Sequence, residues 1–417
     1  MRNDNLKPND IFWNTLGTCS YAIVSLVLSI IIIKLSGKID GGIFSFGFST
    51  LARVAFIITF FGIRPLHIVD IKYNYSFDTY SKLGRRLAII AFLICTLYVS
   101  YRYYIGTYSL IKSILLILLV LHGTIDGFSD YYECEYQRAN RLYMSGKSQF
   151  FRIMSFAIAL IITLLISKDL LISEIIAVIV EICVFYYFNI RLSKNVFKKV
   201  DDNSSYQKLL IEALPLFLIT FFDTIVFSMS KFFIDGSLGD VYSGFYNTVF
   251  MPTNAIYLLM TLFMKPVLTP LANAFYSDKK LYNKILGISL IVAIIISIVS
   301  ILCAVILGNF YLDTIYYMTG NSYENLRYMA NAILVVVIVG GSFYTLCTPM
   351  YYALIIENKR NYILIAYIIT FVISIFITTY MVKRFEIMGA AYSFAISMFL
   401  VFVTICIGKL IASFVRR

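Results

Sequence analysis

The sequence has little charge and few of the residues that usually carry catalysis or hold metals. Only 14% of its 417 residues are charged, where soluble domains have about 25%. It contains two histidines, His67 and His122, and seven cysteines with no CxxC pair, which excludes a disulfide framework and a zinc pattern. GxSxG, HExxH and Walker-type loops are missing as well. We therefore predict no catalytic residues, no metal and no cofactor.

What the sequence has instead is apolar length, since 60% of its residues are hydrophobic. A helix needs about 20 apolar residues to cross the hydrocarbon core of a bilayer. Suitable runs lie near 11–33, 41–63, 86–100, 109–131, 150–166, 170–190, 209–230, 242–264, 285–308, 327–350, 361–381 and 388–411. Runs such as Ile288–Ile301 do not alternate apolar and polar residues as barrel strands do. The sequence predicts an all-α integral membrane protein of about 12 transmembrane helices.

The basic residues predict the orientation of these helices. The chain has a formal charge of +12, and most lysines and arginines fall on segments that share a side with the N-terminus. The positive-inside rule then places both termini in the cytoplasm of a bacterial cell, with a multi-pass protein in its plasma (inner) membrane. Because the charge is spread over many short loops and not gathered on one face, no nucleic-acid partner is expected.

A weak internal repeat predicts two halves. A shift of about 201 residues lays 42–65 over 243–266, so that Phe44 aligns with Phe245 and Arg64 with Lys265. Each half holds six runs, and the basic stretch 191–208 separates them. We predict an N-terminal six-helix bundle in residues 1–200 and a C-terminal six-helix bundle in residues 201–417, related by an axis along the membrane normal.

Four ionisable residues lie at membrane depth, where each is a functional hypothesis by default. Arg53 lies midway along the second run, and it either lines a cavity or forms a structural ion pair with Asp223 or Glu181. Asp126, Glu181 and Asp223 are candidates for proton or cation coupling, with static pairing as the alternative. Near the ends of the runs, snorkelling to the interface is expected instead; this group is Lys112, Asp130, Glu174 and Glu212.

Three stretches carry a resemblance to a known family. The first is GGIFSFGFSTLARVAFIITFFGIRPLHIVDIKYNYSFDTYSKLGRR at 41–86, which contains a loop pattern at Asp70, Tyr75, Ser76, Phe77, Tyr80 and Arg85. The second is YECEYQRANRLYMSGK at 132–147, which we interpret as a loop. The third is KFFIDGSLGDVYSGFYNTVFMPTNAIYLLMTLFMKPVLTPL at 231–271. The chain resembles Wzx-like polysaccharide and O-antigen repeat-unit flippases of the MATE-like (multidrug/oligosaccharidyl-lipid/polysaccharide, MOP) superfamily. Tyr143 departs from the pattern, because an acid is expected there.

The resemblance implies two six-helix bundles forming a V around a central cavity. It also implies that an undecaprenyl-diphosphate-linked oligosaccharide of an O-antigen, capsule or lipopolysaccharide pathway moves to the outer face by alternating access. Each sugar hydroxyl costs about 1–3 kcal/mol to bury unpaired, so such a headgroup needs a hydrated path. Its diphosphate needs cations, which nominates Arg53, Arg64, Lys231 and Lys265. The expected partners are this substrate, membrane lipids, and a polysaccharide polymerase and chain-length regulator.

The sequence leaves three rival functions to compare. A MATE-type cation-coupled exporter of small molecules has the same architecture, and it would favour buried carboxylates over a cationic cavity. A membrane-embedded polymerase or ligase usually carries a large outer loop, whereas the longest outer stretch here is near 309–325. A structural membrane protein has little reason to carry midplane charge in both halves.

Overall fold

The computed structural model describes residues 8–70, 73–197, 206–320 and 323–414, which are mostly helical and contain no β-strand. The chain divides into two compact units, Met1–Phe221 and Phe222–Arg417. The predicted boundary between residues 200 and 201 lies outside the described residues, and it stays a prediction.

The first unit holds eight helices or parts of helices. They are α1 (Pro8–Phe46), α2 (Ala52–Phe60), α3 (Arg64–Val69), α4 (Phe77–Tyr104), α5 (Leu110–Arg138), α6 (Leu142–Ser167), α7 (Leu170–Phe185) and the beginning of α8 (Tyr206–Ser237). Gly37, with a φ of 87°, interrupts α1, a conformation that only glycine adopts easily. A π-helical stretch, Gly47–Leu51, joins α1 to α2, and Tyr186–Arg191 extends α7 in the same way.

The second unit holds the remainder of α8 and four further helices. They are α9 (Asp240–Ser277), α10 (Lys279–Met318), α11 (Arg327–Ile356) and α12 (Arg360–Phe414). Glu386 breaks α12 with a φ of 50°. Pro215 and Pro349 lie inside α8 and α11.

The lengths of these helices confirm an all-α protein with about twelve membrane crossings. Nine helical stretches in the described residues are long and apolar enough to cross a membrane, and two of them, Pro8–Phe60 and Arg360–Ala412, each have 53 residues. At a rise of about 1.5 Å per residue, each of those is about 80 Å long and must cross twice. Each contains one of the two breaks, at Gly37 and Glu386. With α9, the total is about twelve.

One predicted loop is wrong. Within the motif 132–147, α5 continues to Arg138 and α6 begins at Leu142, so that only a short turn containing Asn140 separates them. Hydropathy did not reveal these helix ends because their charged residues are buried against other charged residues: Glu133, Glu135 and Arg138 are each at most 7% exposed.

Glycines allow α5 to approach α2 closely. A Cβ atom on Gly123 would lie 2.2 Å from the carbonyl oxygen of Ala52, and one on Gly127 would lie 2.7 Å from Cβ of Thr59. Two glycines four residues apart are a common contact surface between membrane helices. The contact places Arg53, which follows Ala52, beside the part of α5 that carries His122 and Asp126.

Candidate functional site

An open pocket at membrane depth in the first unit contains Arg53. Its enclosed part has a volume of about 10 Å³, room for about one water molecule, and the pocket is lined by Tyr21, Phe48, Ala52, Arg53, Phe56, His122, Gly123 and Asp126. The Arg53 side chain is exposed, and its guanidinium carbon lies 4.9 Å from the ring centre of Phe56. Within the described part of the chain, Arg53 forms no salt bridge. It is therefore available to an anion.

A buried charged cluster lies behind the pocket, between α5, α6 and α7. At its centre, Arg152 is 1% exposed, and its Nη1 donates to Oε1 of Glu133 at 2.6 Å. Its Nη2 donates to Asp126, and its Nε lies 3.9 Å from Oε1 of Glu181. The three carboxylates thus share one guanidinium, which offsets part of the cost of burying them.

His122 connects the pocket to this cluster. Its Nδ1 lies 2.8 Å from Oε2 of Glu181, and its ring stacks against Phe48 and Phe156, with ring centres 5.3 Å and 4.3 Å away. Tyr21 of α1 lines the same pocket and lies within electrostatic range of Arg53, Asp126 and Arg152. The pocket and the cluster therefore share His122 and Asp126, so a change of charge in one affects the other.

The structure brings together three of the seven predicted site residues, Arg53, Asp126 and Glu181. Sequence reasoning missed the two that connect them, His122 and Arg152. His122 interrupts a long apolar run, and Arg152 lies at the start of another, so that both were visible as polar residues inside predicted spans. The sequence did not show which carboxylates His122 and Arg152 contact.

Arg64 lies apart from this pocket, on the short helix α3. It pairs with Asp130, and its side chain is 34% exposed. The nearby carboxylate raises the pKa of Arg64 above its usual value. An anion that binds Arg64 must therefore compete with Asp130.

The remaining predicted residues belong to the second unit. Asp223 of α8 accepts a hydrogen bond from the Tyr344 hydroxyl, which lies 2.9 Å from each carboxylate oxygen, and it also interacts with Tyr367. Lys231 is 4% exposed, and its Nζ lies 4.2 Å from the ring centre of Phe250. No carboxylate of the described residues pairs with Lys231. The side chain of Lys265 lies outside the described part of the structure.

The first family-like motif belongs to a buried network at one end of the first unit. Asp70 accepts from the backbone amides of Asn74 and Tyr75 at 2.8 Å and 3.0 Å, and from Nη1 of Arg138 at 3.2 Å. Ser76 caps α4 by accepting from the amide of Thr79. These contacts hold the connection between α3 and α4 in place, which gives this motif a structural role.

The expectation of snorkelling at the span ends is wrong for three residues. Glu174 is 0% exposed, Lys112 is 4% exposed, and Asp130 is paired with Arg64. Neither carboxylate oxygen of Glu174 has a hydrogen-bond partner among the described residues. Packing of neighbouring helices covers these side chains before they can reach the interface. Glu212 is exposed, and it accepts a hydrogen bond from the Tyr75 hydroxyl at 3.1 Å.

Solved structures share this fold along nearly the whole chain. An inward-facing multidrug resistance MATE family transporter of the MOP superfamily has a TM-score of 0.70 and 11% identity, covering 97% of this chain and 95% of its own. The lipid II flippase MurJ in an inward closed conformation has a TM-score of 0.65 and 16% identity, covering 95% and 87%. A MOP superfamily transporter from Pyrococcus furiosus, noted for a binding pocket of reverse polarity, has a TM-score of 0.58 and 12% identity, covering 97% and 95%.

No protein-family model and no curated sequence matches the chain. At identities this low, the structural likeness establishes the fold, which is that of MATE/MOP transporters. It does not establish what is carried.

Proposed function

We propose that this chain moves a lipid-linked oligosaccharide from the cytoplasmic to the outer face of a bacterial plasma membrane by alternating access. The oligosaccharide is a repeat unit joined by a diphosphate to undecaprenol, and it belongs to an O-antigen, capsule or related glycan. The lipid stays in the bilayer while the sugar passes through a hydrated path. A polymerase and a chain-length regulator are the partners that such a pathway would supply.

Arg53 is the observation that carries this proposal. A guanidinium at membrane depth is costly, and it is tolerated where it faces water or an anion. Arg53 is exposed in an open pocket and has no salt bridge within the described chain. Guanidinium groups bind phosphate oxygens through paired donors, so a diphosphate is a suitable ligand.

A second basic residue supports the same ligand class. Lys231 is buried against Phe250 without a carboxylate partner among the described residues. Arg64 and Lys265 remain proposed contacts at the ends of the path. The likeness to a lipid II flippase supports a lipid-linked cargo, since that protein's name gives it one.

Replacing Arg53 tests the proposal. We expect Arg53→Ala to abolish surface polysaccharide while the protein remains in the membrane at normal abundance, and Arg53→Lys to retain part of the export. Arg384→Ala is the matched control, because Arg384 is exposed and contacts the Tyr380 hydroxyl at 2.9 Å. Normal surface polysaccharide in the Arg53→Ala strain would contradict the assignment.

One observation favours a MATE-type cation-coupled exporter as the second candidate. Asp223 lies among the tyrosines Tyr344, Tyr351 and Tyr367, an anionic and aromatic environment that suits an organic cation. Drug susceptibility measured beside surface polysaccharide separates the two functions. A loss of drug resistance with unchanged polysaccharide in Asp223→Asn would favour the exporter.

A further inference from the structure

The buried cluster behind the Arg53 pocket has more acidic than basic groups. Asp126, Glu133 and Glu181 are at most 6% exposed, and they share Arg152 and His122. If all three carboxylates are ionised, three negative charges face at most two positive ones, and only one if His122 is neutral. A net charge buried at membrane depth is costly, so the cluster must obtain a further positive charge from a neighbour or a proton.

Arg53 is the neighbour that supplies the further charge. It shares its pocket with His122, Asp126 and Tyr21. With Arg53 included, two arginines offset two of the three carboxylates, and only protonation of His122 offsets the third. When an anion occupies Arg53, part of that balance is lost, and the cluster then binds a proton more strongly.

The His122–Glu181 pair is positioned to take this proton. Its two side chains lie 2.8 Å apart, His122 also lines the pocket, and Glu181 is 0% exposed. One oxygen of Glu181, Oε1, has no hydrogen-bond partner among the described residues. The charged and titratable groups that face the pair and the pocket are Tyr21 on α1, Arg53 on α2, Asp126 and Glu133 on α5, Arg152 on α6 and Glu174 on α7, with the Arg64–Asp130 pair beside Glu133.

We propose that the His122–Glu181 pair is a proton site linked to anion binding at Arg53, so that a diphosphate anion and a proton bind to the first unit together. The proton comes from solvent and adds to the pair without any change in covalent bonding elsewhere. Linkage is reciprocal, so the anion raises the affinity for the proton by the same factor as the proton raises the affinity for the anion. This inference rests on the proposed function, because it takes the pocket to be the diphosphate site.

The test uses the purified full-length protein and UDP-N-acetylglucosamine, a soluble diphosphate diester whose phosphates do not titrate between pH 5 and 8. We expect its affinity to rise by up to about tenfold per pH unit as the pH falls, the limit for one linked proton. Calorimetry in two buffers of different ionisation enthalpy should show uptake of up to one proton per ligand bound.

Two variants make the result specific. His122→Gln should bind the probe with an affinity that no longer changes with pH, and it should take up no proton. His67→Gln is the matched control, because His67 is also buried and also bonded to a glutamate, Glu135, but lies on α3 away from the pocket. It should keep the pH dependence of the wild type.

The outcomes separate the two proposals. In one outcome, the wild type binds the probe with an affinity that does not change with pH and takes up no proton, and Arg53→Ala loses the binding. This outcome overturns the linkage and leaves the diphosphate site standing. Failure of the wild type to bind the probe at any pH overturns both. A pH dependence that survives in His122→Gln and in Glu181→Gln overturns the assignment of the proton to this pair.

Discussion

At the scale of single residues, the charged groups of the first unit fall into two kinds. Arg53 is exposed and forms no salt bridge in the described chain, whereas Arg152 is buried and contacts three carboxylates. The two arginines lie on either side of Asp126, which lines the pocket and also pairs with Arg152. The exposed one is suited to a ligand, and the buried one holds the helices together.

Removing Arg152 should therefore destabilise the protein strongly. Arg152→Met leaves Asp126, Glu133 and Glu181 buried without their shared cation, and breaking a buried pair in this way costs about 3–5 kcal/mol. Thermal unfolding of the purified protein in detergent measures the effect.

An exposed arginine provides the comparison for Arg152. Arg327 pairs with Asp313, and their side chains are 57% and 52% exposed. Exposed ion pairs contribute under about 1 kcal/mol, so Arg327→Met should leave the unfolding temperature almost unchanged. Equal losses in the two variants would show that burial does not decide the contribution of these pairs.

At the scale of elements, the contact between α2 and α5 determines where Arg53 lies. A methyl group at Gly123 would lie 2.2 Å from the Ala52 carbonyl oxygen, so α2 must move if Gly123→Ala is to fold. Overpacking of this kind costs about 1–3 kcal/mol. We expect Gly123→Ala to lower both the unfolding temperature and the export of polysaccharide.

Gly287 of α10 is the matched control for Gly123. A Cβ atom there would meet nothing within 4 Å, and its backbone is helical. Gly287→Ala should unfold at or above the temperature of the wild type, since alanine favours helix by up to about 1 kcal/mol over glycine. A loss of stability in Gly287→Ala as large as that in Gly123→Ala would contradict the argument from helix contact.

The short helix α3 contributes a dependence of stability on pH. Burial lowers the pKa of His67 below its usual value, and its Nδ1 has no hydrogen-bond partner among the described residues. The unfolded chain therefore binds more protons than the folded one below about pH 6.5, and stability falls as the pH falls through that range.

Replacing His67 tests this dependence. His67→Gln can still donate to Glu135, but it has no group that titrates. The unfolding temperature of the wild type should fall more between pH 8 and pH 5.5 than that of the variant. Identical changes in both proteins would mean that another group carries the pH dependence.

The sequence predicted the fold class and the residues at membrane depth, but not the contacts between them. Long apolar runs predict helices because the bilayer leaves few other ways to pair backbone groups. Asp126 and Glu181 were recognisable as ionisable residues within such runs. Their partners, Arg152 and His122, depend on how helices pack, and the glycine spacing at Gly123 and Gly127 that controls this packing is only apparent once both helices are in place.

At the scale of the whole molecule, both units contain charged residues at membrane depth, but the charges differ. The first unit places Arg53 beside an acidic cluster, and the second places Lys231 and Asp223 on the same helix, α8, two turns apart. Each is the kind of residue that marks a path for a polar cargo. The proposed export also requires a direction, which follows from the orientation of the chain in the membrane.

That orientation remains a prediction, and fusions test it. The positive-inside rule places Arg417 and the turn near Asn140 in the cytoplasm, and the turn near Gly106 outside. Green fluorescent protein fused after Asn140 or Arg417 should fluoresce, because it folds in the cytoplasm. Alkaline phosphatase fused after Gly106 should be active, because it needs the oxidising exterior to form its disulfides. Since α5 separates Gly106 from Asn140, the two sites must lie on opposite sides whatever the orientation. The reverse pattern would mean that the chain has the opposite orientation in the membrane, and the proposed direction from the cytoplasm to the exterior would be wrong.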